Sequence, residues 1–459
     1  MQEKVDLQAK IISLSKRRGF VFPGSDIYGG LANTYDFGPL GVLMLRNIIN
    51  SWWEFFVTKR PEIYGLDTSI LMSPKVWEAS GHTANFNEAM IDCLKCRYRT
   101  RADHLIEKFY EKKGEEKQVE GKPFEELDKI VSDNKIPCPS CGEHNWTKVR
   151  KFNQLFDTHV GILEEAQSLA YLRGEIAQGM FVNFKNVLDT MRPNLPFGIA
   201  QSGKAFRNEI TLGNFIFRTL EFNLAEFEYF FNNKTQDWNE LFEYWQKEIE
   251  IWCAEVGIDL KKSRWREHTE QERAHYSSRT ADFDTEFAFG TKEMAAVAYR
   301  TDYDLRNHTE KSGTDLRYMD PNTGEKFIPH VVEPTFGISR VFLALLSQGY
   351  SEDGERVVLK LNKEIAPYRA AVFPLVKNKP EIVNKAKELF QELVEAGYSV
   401  DWDDRGNIGK RYYSQDEIGT PFCITVDYET LENSTVTVRN RDTTEQERVS
   451  VAELKEYLS

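Results

Sequence analysis

Hydrophobic and polar positions along this chain follow two periods, and the switches between them mark out the elements. Apolar residues at Val5, Ile11, Ile12 and Leu14 predict a helix over residues 5–20 that stops at Gly19. Phe20-Val21-Phe22-Pro23-Gly24-Ser25 then reads as a strand and a turn. Residues 42–57 form the strongest amphipathic stretch, with Leu43, Leu45, Ile48, Ile49, Trp52, Trp53 and Phe56 in a wide apolar band. So wide a band calls for a large covering surface, either the chain's own core or a second subunit. Further helices are predicted at 182–191, 238–256 and 338–346, and strands at 281–289, 294–299 and 328–333, the last ending at Pro334. Arg340 falls in the first turn of its helix, beside amides that favour an anion. Beyond Glu364 the pattern changes: strands at 367–374, 398–402 and 422–426 alternate with a helix at 382–396, which predicts a small α/β domain with a mixed or parallel sheet.

The chemistry concentrates between Gly198 and Phe231. Two aromatic-rich runs flank a polar bend at 211–214 and predict an antiparallel strand pair. Side chains two apart share a face, so Arg207 goes with Glu209, and Arg218 goes with Glu226 and Glu228, with Leu220, Phe222 and Leu224 between them. Such a face suits a small ligand with one anionic and one cationic end. It also suits a cross-strand ion-pair ladder on a solvated sheet.

Composition narrows the function classes. No apolar run is long enough to span a bilayer, and the opening Met1-Gln2-Glu3-Lys4-Val5-Asp6 lacks a secretory pattern, so a cytoplasmic protein is expected. The net charge of −13 argues against a general nucleic-acid field and against a DNA partner; contact with nucleic acid must be local. Lys16-Arg17-Arg18, the Arg97/Arg99/Arg101 alternation and Lys148 with Arg150 and Lys151 are the basic patches available. Cys93-x-x-Cys96 and Cys138-x-x-Cys141 match a four-thiolate structural zinc site, with reduced or redox thiols as the other reading. The lysine- and glutamate-rich residues 107–129 between them are expected to form a solvated helix or hairpin.

Three strings then carry a resemblance. They are Gly30-Leu31-Ala32-Asn33-Thr34-Tyr35-Asp36-Phe37-Gly38-Pro39-Leu40-Gly41, Phe206-Arg207-Asn208-Glu209 with Arg218, and Glu333-Pro334-Thr335-Phe336-Gly337-Ile338-Ser339-Arg340. With them, the chain resembles the glycyl-tRNA synthetases of the homodimeric class II type over nearly its whole length. The resemblance implies an α+β fold: a class II antiparallel catalytic sheet flanked by helices in residues 1–363, a zinc-knuckle insertion at about 90–150, and an α/β anticodon-binding domain at 364–459. It implies glycine, ATP with Mg2+ and tRNA-Gly as reactants, and a homodimer.

Residue by residue, the resemblance assigns Arg207 to the α-phosphate, Glu209 to the adenine amino group, and Arg218 and Arg340 to the β- and γ-phosphates. Glu293 goes to ATP or its magnesium, and Asn208, Phe217, Phe222, Met294 and Gly337 complete the nucleotide set. Glu175 and Glu226 go to the glycine ammonium, with Arg101, Phe222, Glu333, Thr335 and Gly337 around the amino acid. In the tail, Lys410, Arg411, Arg439 and Arg441 are expected to gather on one edge to meet RNA, with Tyr412 or Phe422 stacking on bases. The chain departs from the family pattern at Gly174, Ile176, Ser202, Leu212, Asn223, Leu224, Ala296, Thr335 and Ser339, which touches pocket size and loop shape. Two further readings are a synthetase-like accessory protein that has lost catalysis, which predicts missing motif arginines, and a sister synthetase for threonine, proline, serine or histidine.

Overall fold

The computed structural model describes the chain except residues 1, 116, 118, 120, 121, 162–167, 210–212 and 459. The bend at 210–212, with Leu212, therefore lies outside the described residues. A seven-stranded sheet organises the larger part. In chain order its strands are β1 (Ile63–Gly65), β2 (Phe197–Phe206), β3 (Glu221–Phe231), β4 (Ser263–Glu267), β5 (Arg279–Phe287), β6 (Gly290–Thr301) and β7 (His330–Gly337). Across the sheet the order is β4-β5-β6-β7-β3-β2-β1, antiparallel except for the edge pair β1 and β2. The expected hairpin is thus β2 and β3, with Gln201 opposite Glu226.

One face of the sheet is the core. Helices of this part include α1 (Gln2–Arg18), α2 (Pro39–Trp53), α3 (Trp238–Val256) and α4 (Ile338–Gly349). Trp52, Phe56, Phe227, Trp252 and Phe336 interlock there, with Phe56 and Phe336 centroids 5.0 Å apart. Edge and tilted ring pairs of this kind add to the burial that anchors α2 and α3 on the sheet. Asp237 caps α3 by accepting from the Asn239 amide, and Gly257 closes it at φ 103°, where a side chain would be strained. In α2 a Cβ on Gly41 would collide with the Phe20 carbonyl oxygen, which explains the glycine in that string. The wide apolar band of this stretch is largely covered within the chain: Leu45, Ile48, Trp52 and Phe56 are buried, while Leu43, Ile49 and Trp53 stay partly exposed.

Strand β7 runs through Pro334 instead of ending there. Its ladder to β3 keeps one register from Glu226↔Thr335 to Tyr229↔Val332 but is interrupted between them, where Pro334 has no N–H to donate. Strand β6 carries two irregularities. Phe283 pairs with Ala295 and Asp284 with Glu293, leaving Met294 as an extra residue; Tyr299 and Thr301 pair with Val332 and Val331, leaving Arg300 as another.

The insertion is better packed than a solvated segment. Strands Asn87–Asp92, Arg99–Arg101 and Arg150–Asn153 form a small sheet, and helices Ala102–Glu111 and Phe124–Asp133 share a core of Leu105, Ile106, Leu127 and Val131. Within the two helices Lys108, Glu111, Glu125, Glu126 and Lys129 are exposed on the outer faces while Leu105, Ile106, Leu127 and Val131 are buried between them, so the expectation of a merely solvated helix or hairpin is corrected.

The tail has strands β8 (Ala370–Pro374), β9 (Val400–Trp402), β10 (Phe422–Val426), β11 (Thr435–Asn440) and β12 (Gln446–Ser450), with helices α5 (Pro380–Glu395) and α6 (Ile408–Ile418). Its order, β9-β8-β10-β11-β12, is parallel around β8 and antiparallel beyond β10, a mixed sheet. Arg356 of the larger part donates to Asp416 on α6 at 2.6 Å, and Arg18 on α1 donates to the Ser414 hydroxyl at 2.7 Å. Among the described residues no helix is long and apolar enough to cross a membrane.

Candidate active site

The face of the sheet away from the core holds a cleft of about 320 Å³. Gln201, Glu226, Thr335, Ala296 and Asp282 make one row across it, each paired directly with the next. The bulge at Met294 decides which of its neighbours joins them. It returns Glu293 to the cleft and turns the Met294 side chain into the hydrophobic core, fully buried. Met294 itself does not line the cleft.

Basic side chains gather at one end. Arg207 donates to the Gly174 carbonyl at 2.9 Å, its guanidinium 5.1 Å from the Phe86 ring and 5.4 Å from that of Phe222. Arg340, in the first turn of α4, stands 4.4 Å over the Phe217 ring and pairs with Glu293 at 2.9 Å. Burial raises the Glu293 carboxyl, but Arg340 outweighs it and holds the group below its ordinary range. Arg218 does not share strand β3, which starts only at Glu221; it stands in the preceding loop, 3.9 Å from Glu209. The loop folds back through the Arg207 amide donating to the Leu220 carbonyl at 2.9 Å, so proximity and not strand parity brings Arg218 to the cleft. The Asn208 amide donates to the Gln154 carbonyl at 2.8 Å.

Carboxylates gather at the other end. Glu175, Glu226 and Glu333 line the cleft and are buried, and Glu228 lies beneath them. Arg300, absent from the sequence expectations, is the central cation: it donates to Asp304 at 2.8 and 2.9 Å and to Glu333 at 2.9 Å, with Glu175 at 3.7 Å and the Tyr276 ring 3.7 Å away. Glu175 also accepts from Gln178 at 3.0 Å and pairs with His82 at 3.1 Å. Burial pushes Glu175 up, yet His82 and Arg300 outweigh it and keep its carboxyl well below the usual range. Glu226 goes the other way: burial, then the charges of Glu333 and Glu175, raise it well above that range. Burial also lifts Glu333 to about 7 against the pull of Arg300. Glu226 accepts only from Thr335, at 3.4 Å, and among the described residues its second oxygen has no donor.

Acids therefore outnumber cations at this end, and cations cluster at the other, an arrangement suited to a ligand that is ammonium at one end and polyanion at the other. Phe222, Gly337 and Ala296 line the middle. Ser202, by contrast, projects from the opposite face of β2 to Gln201. Arg101 is not among the lining residues; it sits in the insertion, donating to Asp103 at 3.0 and 2.5 Å and to Glu88 at 3.3 Å. Sequence reasoning also missed Asp304, Gln178, His82 and Asp282. The one signal for Arg300 was its shared parity with Ala296 and Ala298.

The four cysteines come together in the insertion. Sγ atoms of Cys93 and Cys141, and of Cys96 and Cys138, are 3.6 Å apart, and all four lie within 4.8 Å of one another. Four thiolates around one zinc at about 2.3 Å would stand about 3.8 Å apart, so the set fits a closed tetrahedral ion. The Tyr98 amide lowers the Cys96 thiol against the effect of burial, whereas burial raises that of Cys138.

The tail corrects the expected basic edge. Arg411 donates to the Pro374 carbonyl at 2.6 Å, Arg439 to Asp416 at 2.8 and 3.0 Å, and Arg441 to the Gly419 carbonyl at 2.7 Å and to Asp442 at 2.9 Å. All three are buried, and only Lys410 of the four is exposed. Tyr412 and Phe422 are half-buried, with the Tyr412 hydroxyl 2.7 Å from that of Thr425 and Phe422 edge-on to Tyr457.

Comparison with known proteins agrees with this architecture. Residues 163–349 match the tRNA synthetase class II core domain (G, H, P, S and T), residues 116–154 the glycyl-tRNA synthetase insertion domain 1, and residues 369–459 the anticodon binding domain. The chain is 49% identical to the glycine–tRNA ligase of Geobacillus thermodenitrificans, covering 100% of this chain and 99% of that protein. It is 48% identical to that of Alkaliphilus oremlandii, over 98% of this chain and 97% of the relative, and 48% identical to that of Bacillus anthracis, over 98% of each.

Proposed function

The chain belongs to the glycine–tRNA ligase family, with a class II synthetase core, and from that premise we propose that it activates glycine with ATP and transfers it to tRNA-Gly. ATP with Mg2+ follows from that membership. The first step forms glycyl-adenylate and pyrophosphate; the second places the glycyl group on the 3′ end of the tRNA. The observation that carries this reading is the polarity of the cleft, with buried carboxylates at one end and Arg207, Arg218 and Arg340 at the other.

Glycine enters with its ammonium toward Glu175, Glu226 and Glu333, and Thr335 steadies Glu226. Its carboxylate then points toward Arg207, which holds the α-phosphate where attack occurs. Arg218 and Arg340 neutralise the β- and γ-phosphates, and a triphosphate entering here competes with Glu293 for Arg340. Asn208, Glu209, Phe217, Phe222 and Gly337 shape the adenosine end. Positioning and charge neutralisation supply most of the catalysis in such a displacement. Glu293, kept ionised beside Arg340, fits a place near Mg2+, which supplies further neutralisation at the leaving phosphates when bound. Glycine has no side chain to grip, so selection rests on exclusion; the Ala296 methyl, in register with Thr335, narrows the space for a Cβ. One methylene is worth about 1–3 kcal/mol in such discrimination.

The wider assignments rest on the same premise. Residues 1–363 act as the catalytic part, with the insertion at about 90–150, and residues 364–459 read the anticodon. Cys93, Cys96, Cys138 and Cys141 hold one structural zinc. The protein pairs as a homodimer through the segment around Gly30 to Gly41, where Ile27 (88% exposed), Tyr28 (87%) and Leu31 (59%) leave apolar surface in water. It works in the cytoplasm, where tRNA and ATP are at hand and the thiols stay reduced. The reading as an accessory protein without catalysis is not favoured, because all three motif arginines line the cleft.

Amino-acid-dependent ATP–pyrophosphate exchange across the twenty amino acids tests the proposal. Exchange with glycine and not with alanine or serine is the expected outcome. Exchange with another amino acid, or with none, would reject it.

A further inference from the structure

Glu228 is a buried acid with no part in the proposed reaction. It sits two residues beyond Glu226 on β3, on the same face, but does not line the cleft. Its side chain is fully buried, and among the described residues neither of its oxygens has a hydrogen-bond partner. The register that pairs Glu226 with Thr335 and Tyr229 with Val332 sets Glu228 directly opposite Glu333. A carboxyl oxygen from each of Glu226, Glu228 and Glu333 falls within 4.8 Å of the other two. The nearby fixed cation, Arg300, is already engaged by Asp304 and Glu333, and Asp304 and Glu175 add only negative charge. His308 is turned to Gln178, at 2.8 Å.

An ionised carboxylate cannot persist in such a place without a donor or a counter-charge, whereas a neutral acid brings one O–H to acceptors already at hand. Resting on the proposed glycine site, we propose that Glu228 is a positioning residue which stays a neutral carboxylic acid and donates its proton to the Glu226–Glu333 pair, turning those carboxyls toward the cleft without adding charge. Its own ionisation is pushed the same way, by burial first and then by Glu333, with Arg300 opposing.

The test is a pair of substitutions read by steady-state glycine activation and by melting temperature against pH. Glu228→Gln keeps a neutral donor of the same length. Its KM for glycine and its kcat are expected to stay within about threefold of wild type. A raised carboxyl makes a stability contribution that is full below its unfolded value of about 4.3 and is lost as pH rises through the folded one. Wild type should therefore lose more melting temperature between pH 6 and pH 8 than Glu228→Gln does. Glu228→Leu removes the donor and is expected to raise the glycine KM by roughly tenfold or more while changing kcat and the ATP KM little.

A Glu228→Gln variant as impaired in glycine KM as Glu226→Gln would overturn the proposal, since Glu228 would then act as an anion. A Glu228→Leu variant with wild-type KM, or equal pH dependence of melting in wild type and Glu228→Gln, would overturn it as well. Should the leucine variant not fold, the glutamine variant decides alone. If the wild-type protein fails to exchange pyrophosphate with glycine, the functional reading falls, while the melting comparison still tests whether Glu228 is neutral.

Discussion

Two buried charge clusters in this molecule use the same residue types to different ends. Where the tail meets the larger part, Asp416 is fully buried between Arg356 and Arg439, and the neighbouring Arg411 and Arg441 end on carbonyls or on Asp442. Each guanidinium there has its acceptor. On the catalytic sheet the balance is reversed: Glu175, Glu226, Glu228, Glu333 and Asp304 surround Arg300, and among the described residues carboxyl oxygens of Glu226 and Glu228 are left without donors. Satisfied buried charge holds a fold together, while unsatisfied buried charge is tolerated where a ligand completes it. That contrast separates the joint from the site, although both look alike as clusters of arginine and acid.

The largest effect is expected from removing the arginine around which the acidic end of the cleft is built. Arg300→Met leaves Asp304, Glu333 and Glu175 without their shared partner and is expected to lower stability by about 3–5 kcal/mol, read by chemical denaturation. A variant as stable as wild type would show that Arg300 does not hold the cluster. Asp416→Ala strips Arg356 and Arg439 of the buried anion they share and should cost nearly as much, about 3 kcal/mol, yet leave the glycine KM unchanged. A changed glycine KM would mean that the joint is more than structural. Glu226→Gln is expected to weaken glycine by about 1.5–3 kcal/mol, roughly ten- to hundredfold in KM, with the ATP KM unaffected. An unchanged glycine KM with lowered stability would make Glu226 a sheet residue only.

The smallest effect is on pH. Burial holds Glu333 near 7 and Glu226 higher, so both favour their neutral forms at low pH, whereas an ammonium ligand needs carboxylates. The glycine KM should therefore fall as pH rises from 6 to 8, by up to about tenfold per unit below the carboxyl's value. A KM that is flat or rises over that window would contradict the assignment.

Much of the fold was legible because hydrophobic period alone exposes elements such as α3, and alternation exposes the β2–β3 pair. What stayed hidden depended on contacts between distant strands. The bulge at Met294 reverses parity, so no alternation could show that Glu293 faces the cleft and Met294 the core. Arg300 belongs to none of the motif strings, and its role appears only when β6, β7 and the turn before Ala177 meet around it. Arg411, Arg439 and Arg441 read as a basic surface because sequence gives residue type but not the acceptor that buries it. Glu228 shared the parity of Glu226 from the start, but the missing donors around it exist only in three dimensions.

The central claim is that excess buried carboxyls await a cation, and calorimetry of glycine binding near pH 7 in two buffers of different ionisation enthalpy tests it most directly. If the ammonium draws Glu226 and Glu333 into their ionised forms, protons must leave for the buffer. The expected result is net proton release on glycine binding, lost or strongly reduced in Glu226→Gln. Binding with no proton release, or with uptake, would contradict the account.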